Sequence, residues 1–363
     1  MKTKRLSSID ALRGFDMFWI SSGDAFFIAL FTFINTPFFL HLAKQLDHPA
    51  WAGFRFYDVI FPLFLFIMGV VMPLSITRRL ENGDSRKQLY RHIIQRTLLL
   101  FLLGLIYNGL FNLDFSGQRY SGVLQRFAVT YFFASIIVMN FKNRGQMIWI
   151  ASILLIYWLV LLFIPAPGFH AYDLTPQGNL CGYIDRLCLP GSFCCYTYGD
   201  NEGILTMFPA IANVLLGVVA GRWLLGEGDS GAKMKNMVLT GTFFIGGGLL
   251  WSLVFPINKY LWTGSYVFLT SGISFLLLCL FYWIIDVKGY NKWAFPFIVI
   301  GLNPITIYVT QGVFDFSIIA NIFIHGFIHN FGSFSTVFNQ FCIILVKWFF
   351  LYFLYRNRIF LKV

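Results

Sequence analysis

Charged side chains are scarce in this sequence. Asp, Glu, Lys and Arg together make up 12% of its 363 residues, about half the share of a soluble domain. So little polar surface cannot cover a water-facing globule. The local signatures of soluble nucleotide and hydrolase chemistry are missing as well. There is no Walker loop, dinucleotide fingerprint, HExxH, paired CxxC or serine elbow, so ATP-driven transport and soluble-type hydrolysis lose their usual signals. The apolar runs do not alternate with polar residues at a period of two, which excludes a transmembrane β-barrel.

Apolar and aromatic residues fill the space instead. Hydrophobic residues make up 58% of the chain, with 44 Phe and 10 Trp, and the mean hydropathy is +0.70. The runs reach the roughly 20 residues that a helix needs to cross hydrocarbon, where every backbone polar group must be paired internally. The pattern predicts an all-α polytopic membrane protein with about ten spans, at 14–33, 57–77, 97–113, 122–140, 147–164, 204–223, 237–256, 263–285, 295–314 and 336–355. A further apolar stretch at 316–328 reads as re-entrant, interfacial or an eleventh crossing. The first run follows Lys2, Lys4 and Arg5 but contains Asp16 and Asp24 and ends without a small-x-small cleavage motif. It therefore reads as a retained helix and not a signal peptide.

With the amino terminus placed inside, 20 of the 27 Lys and Arg residues fall on cytoplasmic connections and 6 on outer ones, while Lys347 lies within the last span. That bias puts both termini in the cytoplasm. The net charge of +11 then calls for anionic lipid and not for nucleic acid. The chain reads as a single membrane domain, 1–363, with two long outer connections. One, at 34–56, carries His41, Asp47, His48, Trp51 and Arg55; the other, at 165–203, is long enough to pack as a cap. Cys181, Cys188, Cys194 and Cys195 lie in this cap, on the oxidising side. Neighbouring cysteines are sterically the poorest partners, so Cys181 and Cys188 are expected to pair with Cys194 and Cys195. Adjacent cysteines match no standard zinc spacing, and no metal site is predicted.

Several polar clusters interrupt the apolar background. Asp10, Arg13, Asp16 and Asp24 fall on or near the first span, and ionisable residues at such depth should face the bundle interior or a wet cavity. Asp10 also fits a helix cap and Arg13 a cytoplasmic anchor. His48 stands ten residues before Asp58 at the mouth of the second span. As a neutral imidazole it can accept a proton from a hydroxyl or amine, although a loop histidine can equally be polar surface. Asp200, Asn201 and Glu202 precede the sixth span, as helix caps or as hydrogen-bonding partners for a polar acceptor. Asn303 and Pro304 break the ninth span, either as a plain kink or as the lining of a site. Arg78, Arg79, Arg86 and Arg91 form a basic inner connection suited to phosphate or to lipid headgroups.

Taken together and in order, five stretches carry a resemblance. They are Arg5 to Gly14; His48 to Gly53 followed by Tyr57 to Pro62 and Phe66 to Gly69; Gly122 to Arg126; Glu202 to Leu205; and Gly301 to Pro304. In these the chain resembles the transmembrane N-acetyltransferases that act on the terminal glucosamine of heparan sulfate, and their bacterial relatives. The resemblance implies transfer of an acetyl group from cytosolic acetyl-CoA, as cosubstrate, to an amino sugar or glycan on the other side of a bacterial inner (cytoplasmic) membrane. It implies His48 as the general base, or as the carrier of an acetyl-histidine intermediate, with Asp24 and Asp58 beside it. Trp51, Asn201, Glu202 and Asn303 would meet the acceptor, and Arg13, Arg78, Arg79, Arg86 and Arg91 the phosphates of CoA. Where the animal members carry an asparagine late in the first span this chain has Asp24, so the acceptor does not carry over with the fold. Besides lipid and glycan, a second copy of the chain in a homodimer is an allowed partner. The competing reading is a secondary transporter or lipid-linked sugar carrier that uses Asp16 and Asp24 for ion coupling.

Overall fold

A computed structural model of the chain describes residues 6–361. Lys2, Lys4, Arg5 and Lys362, which enter the charge bias and the first motif, lie outside them. Among the described residues the chain is helical apart from one short hairpin, Cys195–Tyr196 with Gly199–Asp200. Eight helices among the described residues are long and apolar enough to cross a membrane: Ser7–Ile34, Phe56–Glu81, Arg86–Tyr107, Val123–Asn140, Asn143–Phe163, Met207–Leu225, Gly264–Val287 and Ile328–Arg356. The pair Lys292–Leu302 and Pro304–Val313, bent by 61°, makes a ninth when it counts as one span. The protein is thus an all-α polytopic membrane protein.

The differences from the expected ten spans have local causes. The stretch at 237–256 folds as Ser230–Trp251, which starts at the Asp229 cap and so draws Lys233, Lys235 and Asn236 into the helix. With three consecutive glycines, Gly246 to Gly248, it falls outside the set of long apolar helices. The third span, expected at 97–113, starts eleven residues earlier, at a capping box in which Ser85 accepts from the Gln88 backbone while the Gln88 side chain accepts from Ser85. The stretch at 316–328 contains a helix of nine residues, Phe316–Ile324. At about 1.5 Å per residue that is too short to cross the roughly 30 Å core as an eleventh span. It runs antiparallel to the last helix, with Phe316 against Phe350 and Phe327 against Phe338.

Contacts group the chain into two compact units. The first comprises Met1–Pro49, Arg55–Phe64 and Leu277–Val363. Its central contact is Ser7–Phe18 against Phe295–Leu302. A Cβ at Gly14 would collide with the Phe297 carbonyl oxygen, and one at Gly301 with that of Asp10, so only glycine lets these backbones touch, the small-residue solution that membrane helices favour. Arg13 reaches across the same contact to the Gly301 carbonyl oxygen at 3.3 Å.

The second unit comprises Ala50–Phe54 and Leu65–Leu276. Its cap carries the helix Leu180–Cys188 and the hairpin. Leu180 and Cys181 pack with Tyr157, Leu161, Phe255 and Leu261. That burial overturns the expected cysteine pairing. Cys181 faces the interior, 3.2 Å from the Tyr157 hydroxyl, and burial pushes its thiol up to about 12. Cys188 is exposed at the far end of the same short helix, and the disulfide joins the neighbours Cys194 and Cys195. The helix thus turns Cys181 inward and away from the hairpin cysteines it was expected to meet.

The glycine contact gives a direct test. Gly301→Ala should destabilise the protein by about 2–3 kcal/mol, read as a lower melting temperature in detergent. Gly246→Ala, where an added Cβ meets nothing within 4 Å, should leave the melt unchanged or slightly raised. Equal melting of the two variants would contradict the close approach.

Candidate active site

In the first unit, His48, Asp58, Tyr57 and Asp24 form one connected arrangement. The second span opens with a short 3-10 turn, Phe56–Val59. Asp58 caps it by accepting the Arg55 backbone N–H at 2.8 Å. Its other carboxylate oxygen lies 2.6 Å from His48 Nδ1. Asp58 is fully buried, whereas the His48 side chain is 29% exposed. A buried carboxylate needs hydrogen-bond donors, so it holds the imidazole as the Nδ1–H tautomer and makes Nε2 the ring's basic atom. Base and orienting acid are the core of a catalytic histidine arrangement.

The loop ahead of His48 is tied down from both sides. Arg55 Nη1 donates to the His48 carbonyl oxygen at 2.9 Å and meets Asp47 at 3.5 Å. Gln45, the last residue of the helix Pro37–Gln45, accepts the Phe56 N–H at 3.2 Å. The Tyr57 ring stands 5.1 Å from the His48 ring, and its hydroxyl donates to Asp24 Oδ2 at 2.9 Å. Asp24 begins the second half of the first span, after a break over Trp19–Gly23. Ser21, Ser22 and Gly23 are all weak helix formers, which suits a break there.

Three of the expected site residues, His48, Asp58 and Asp24, are therefore brought together. Tyr57, which connects them, was not among the expected site residues; its signal was its place next to Asp58. Asn303 is engaged by the chain's own backbone. Its buried amide donates to the Ile359 carbonyl oxygen at 3.0 Å and accepts the Leu361 N–H at 3.1 Å, clamping the C-terminal segment. Arg13 meets Asp10 at 3.7 Å as well as Gly301.

Trp51, Asn201, Glu202 and the arginines of 78–91 belong to the second unit. There Arg119 donates to Asp200 through Nε at 2.7 Å and Nη2 at 2.5 Å, and also to Glu202 and to Asn201 Oδ1. Burial pushes the Asp200 carboxyl up, but the Arg119 guanidinium outweighs it and holds it below the usual carboxylate range. The fully buried Arg126 donates to the Asn201 carbonyl oxygen at 2.7 Å and lies 4.2 Å from the Trp262 ring. Asn201 and Glu202 are thus engaged by arginine, and their closest role is to fasten the cap to Val123–Asn140. Trp51 donates Nε1 to the Leu174 carbonyl oxygen at 2.7 Å and stacks on Tyr260. Arg79 is paired with Asp84 at 3.0 Å and Arg86 donates to the Met139 carbonyl oxygen, while Arg78 and Arg91 are exposed. Among the described residues no group of three His, Cys, Asp or Glu side chains is placed to hold a metal ion.

Comparison with known proteins decides the family. A family model described as heparan-alpha-glucosaminide N-acetyltransferase, catalytic, matches residues 5–255. The chain belongs to that acetyltransferase family. It is 30% identical to the heparan-alpha-glucosaminide N-acetyltransferase of Mus musculus over 327 residues, 74% of this chain and 49% of the mouse protein. Against the Homo sapiens protein of the same name it is 31% identical over an aligned length of 370, 86% of this chain and 53% of the human protein. The chain spans about half the length of the curated relatives it matches. The His48 stretch and the cap through Glu202 both fall within the family match, whereas Asn303 and Lys347 lie beyond it.

The tautomer can be checked directly. ¹⁵N NMR of histidine-labelled protein should find neutral His48 protonated on Nδ1, and Asp58→Ala should release it to Nε2–H. An Nε2–H tautomer in the unaltered protein would contradict the arrangement.

Proposed function

We propose that this chain transfers an acetyl group from acetyl-CoA on the cytoplasmic side to the amine of an amino sugar or glycan on the opposite side. The observation that carries this reading is the hydrogen bond of 2.6 Å between His48 and the fully buried Asp58, in a chain of an acetyltransferase family. As the acceptor nitrogen attacks the thioester carbonyl, its proton passes to His48 Nε2, and the CoA thiolate leaves and takes up a proton. The C–N bond forms as the C–S bond breaks, giving an N-acetyl sugar and CoA thiol. Asp58 steadies the imidazolium that develops. Asp24, through the Tyr57 hydroxyl, fixes the neighbouring ring. Because the reacting groups must meet at a set distance, much of the barrier reduction comes from positioning.

The finer assignments belong to the same proposal. The whole chain acts as a single acyltransferase domain. With Ser230–Trp251 counted as a crossing there are ten, and in this reading both termini face the cytoplasm, in keeping with the charge bias, in the inner membrane of a bacterial cell. The exposed Arg78 and Arg91 suit the phosphates of CoA. Trp51 offers an indole edge to the acceptor. Lipid surrounds the apolar helices, and a homodimer is compatible with the large exposed apolar surface.

The test uses purified protein in nanodiscs with labelled acetyl-CoA and a panel of amino sugars. Acceptor-dependent transfer should fall by about 10²-fold or more in His48→Ala while the melting temperature and CoA binding persist. Transfer that survives the substitution would overturn the role of His48. Label on His48 in the absence of acceptor would replace the direct mechanism with an acetyl-histidine intermediate.

A further inference from the structure

Two helices of the first unit break beside one lysine. The first span widens into a π-helical turn over Trp19–Gly23, broken at Ser22, which alone has non-helical angles, φ 178° and ψ −3°. The second break, at Phe314–Asp315, separates Pro304–Val313 from Phe316–Ile324. Lys347 lies midway along Ser335–Arg356. Its Nζ donates to the Ser21 carbonyl oxygen, to Ser22 Oγ at 2.7 Å and to Gln311 Oε1 at 3.3 Å, and it stands 5.7 Å from the Phe316 ring. An ammonium has three donors, so all three are used. The carboxylates within its electrostatic reach are Asp24 and Asp315. Asp315 accepts the Ser317 N–H at 2.8 Å and caps its own helix. Ser22, Gln311, Asp315, Ser317, Gln340 and Lys347 line a polar cavity here.

The arrangement answers two costs at once. A carbonyl released by a helix break has no water to meet in hydrocarbon. A lysine at that depth is equally unfavourable alone and should face the interior with a partner. Each resolves the other, and the segment they fix leads straight into Asp24. Where the break is held decides where the Asp24 carboxylate points, and Asp24 receives the Tyr57 hydroxyl beside His48. We propose that Lys347 is a positioning residue for the His48 site. It clamps the break at Ser21 and Ser22, directly ahead of Asp24, and so holds the carboxylate that fixes Tyr57. This role rests on the acetyl-transfer reading, and Lys347 itself touches no reacting atom.

The test combines kinetics with hydrogen exchange on the full chain in nanodiscs. Lys347→Met should lower kcat for acetyl transfer by about tenfold or more with KM for acetyl-CoA within about twofold, and Lys347→Arg should recover most of the loss. In an Asp24→Asn background the same Lys347→Met change should cost less than about threefold, because the lysine acts through Asp24. Equal losses in the two backgrounds, an effect on KM alone, or no effect on kcat would overturn the proposal. Amide exchange over 19–25 reads the clamp without activity, and should rise about tenfold in Lys347→Met while the helix Val123–Asn140 stays as protected as before. Unaltered protein that transfers no acetyl group would defeat the functional reading. Unchanged exchange over 19–25 would separately defeat the clamp. Should Lys347→Met fail to fold, Lys347→Gln carries both measurements.

Discussion

A carboxylate without exposure must find donors, and the Asp58 carboxylate finds them in the Arg55 backbone and the His48 ring. The rest of the candidate site follows from that requirement. The acid sits where the second span opens, so the helix start that needs a cap and the imidazole that needs an orienting partner are served by one side chain. His48 is thereby held at the boundary between loop and span, with a buried face toward Asp58 and a partly exposed ring. A histidine of the same loop without this partner would be an ordinary polar surface group.

The low dielectric of the membrane shapes the remainder. Each break in a helix creates backbone groups that need a partner, and each ionisable side chain needs one too. Lys347 with Ser21, and Asp24 with Tyr57, are local solutions of that kind. The second unit applies the same rule differently, with Arg119 and Arg126 gathering Asp200, Asn201 and Glu202 under the cap. There the charges are fastened to one another, so the run of acids ahead of a span anchors the cap.

Much of this was legible in the sequence, and the limits have physical causes. Hydropathy located the membrane helices because length and apolarity are what crossing demands. At 237–256 the helix differs in its start, since a cap at Asp229 begins it early and draws two lysines in. His48 and Asp58 were legible as a pair through their spacing at the mouth of a span. Tyr57 and Arg55 were not, because an aromatic or basic residue beside a span has an ordinary interfacial explanation. Asn303 gave a signal at a helix break, but nothing local tells whether such an amide faces a ligand or the chain's own backbone. Lys347 was visible as the one basic residue within the last span, yet its partners lie about 36 and 325 positions away in sequence. The cysteines were misread because their spacing says nothing about which side of a short helix turns inward.

The proposed reaction uses acetyl-CoA and acceptor from opposite faces of the membrane. Sealed proteoliposomes with an amino sugar trapped inside and labelled acetyl-CoA outside test it most directly, because neither substrate crosses the bilayer unaided. Labelled N-acetyl sugar should form in the vesicle interior, and none when both substrates are outside only. Product formed with both substrates on the outside, and none with the acceptor trapped, would contradict it.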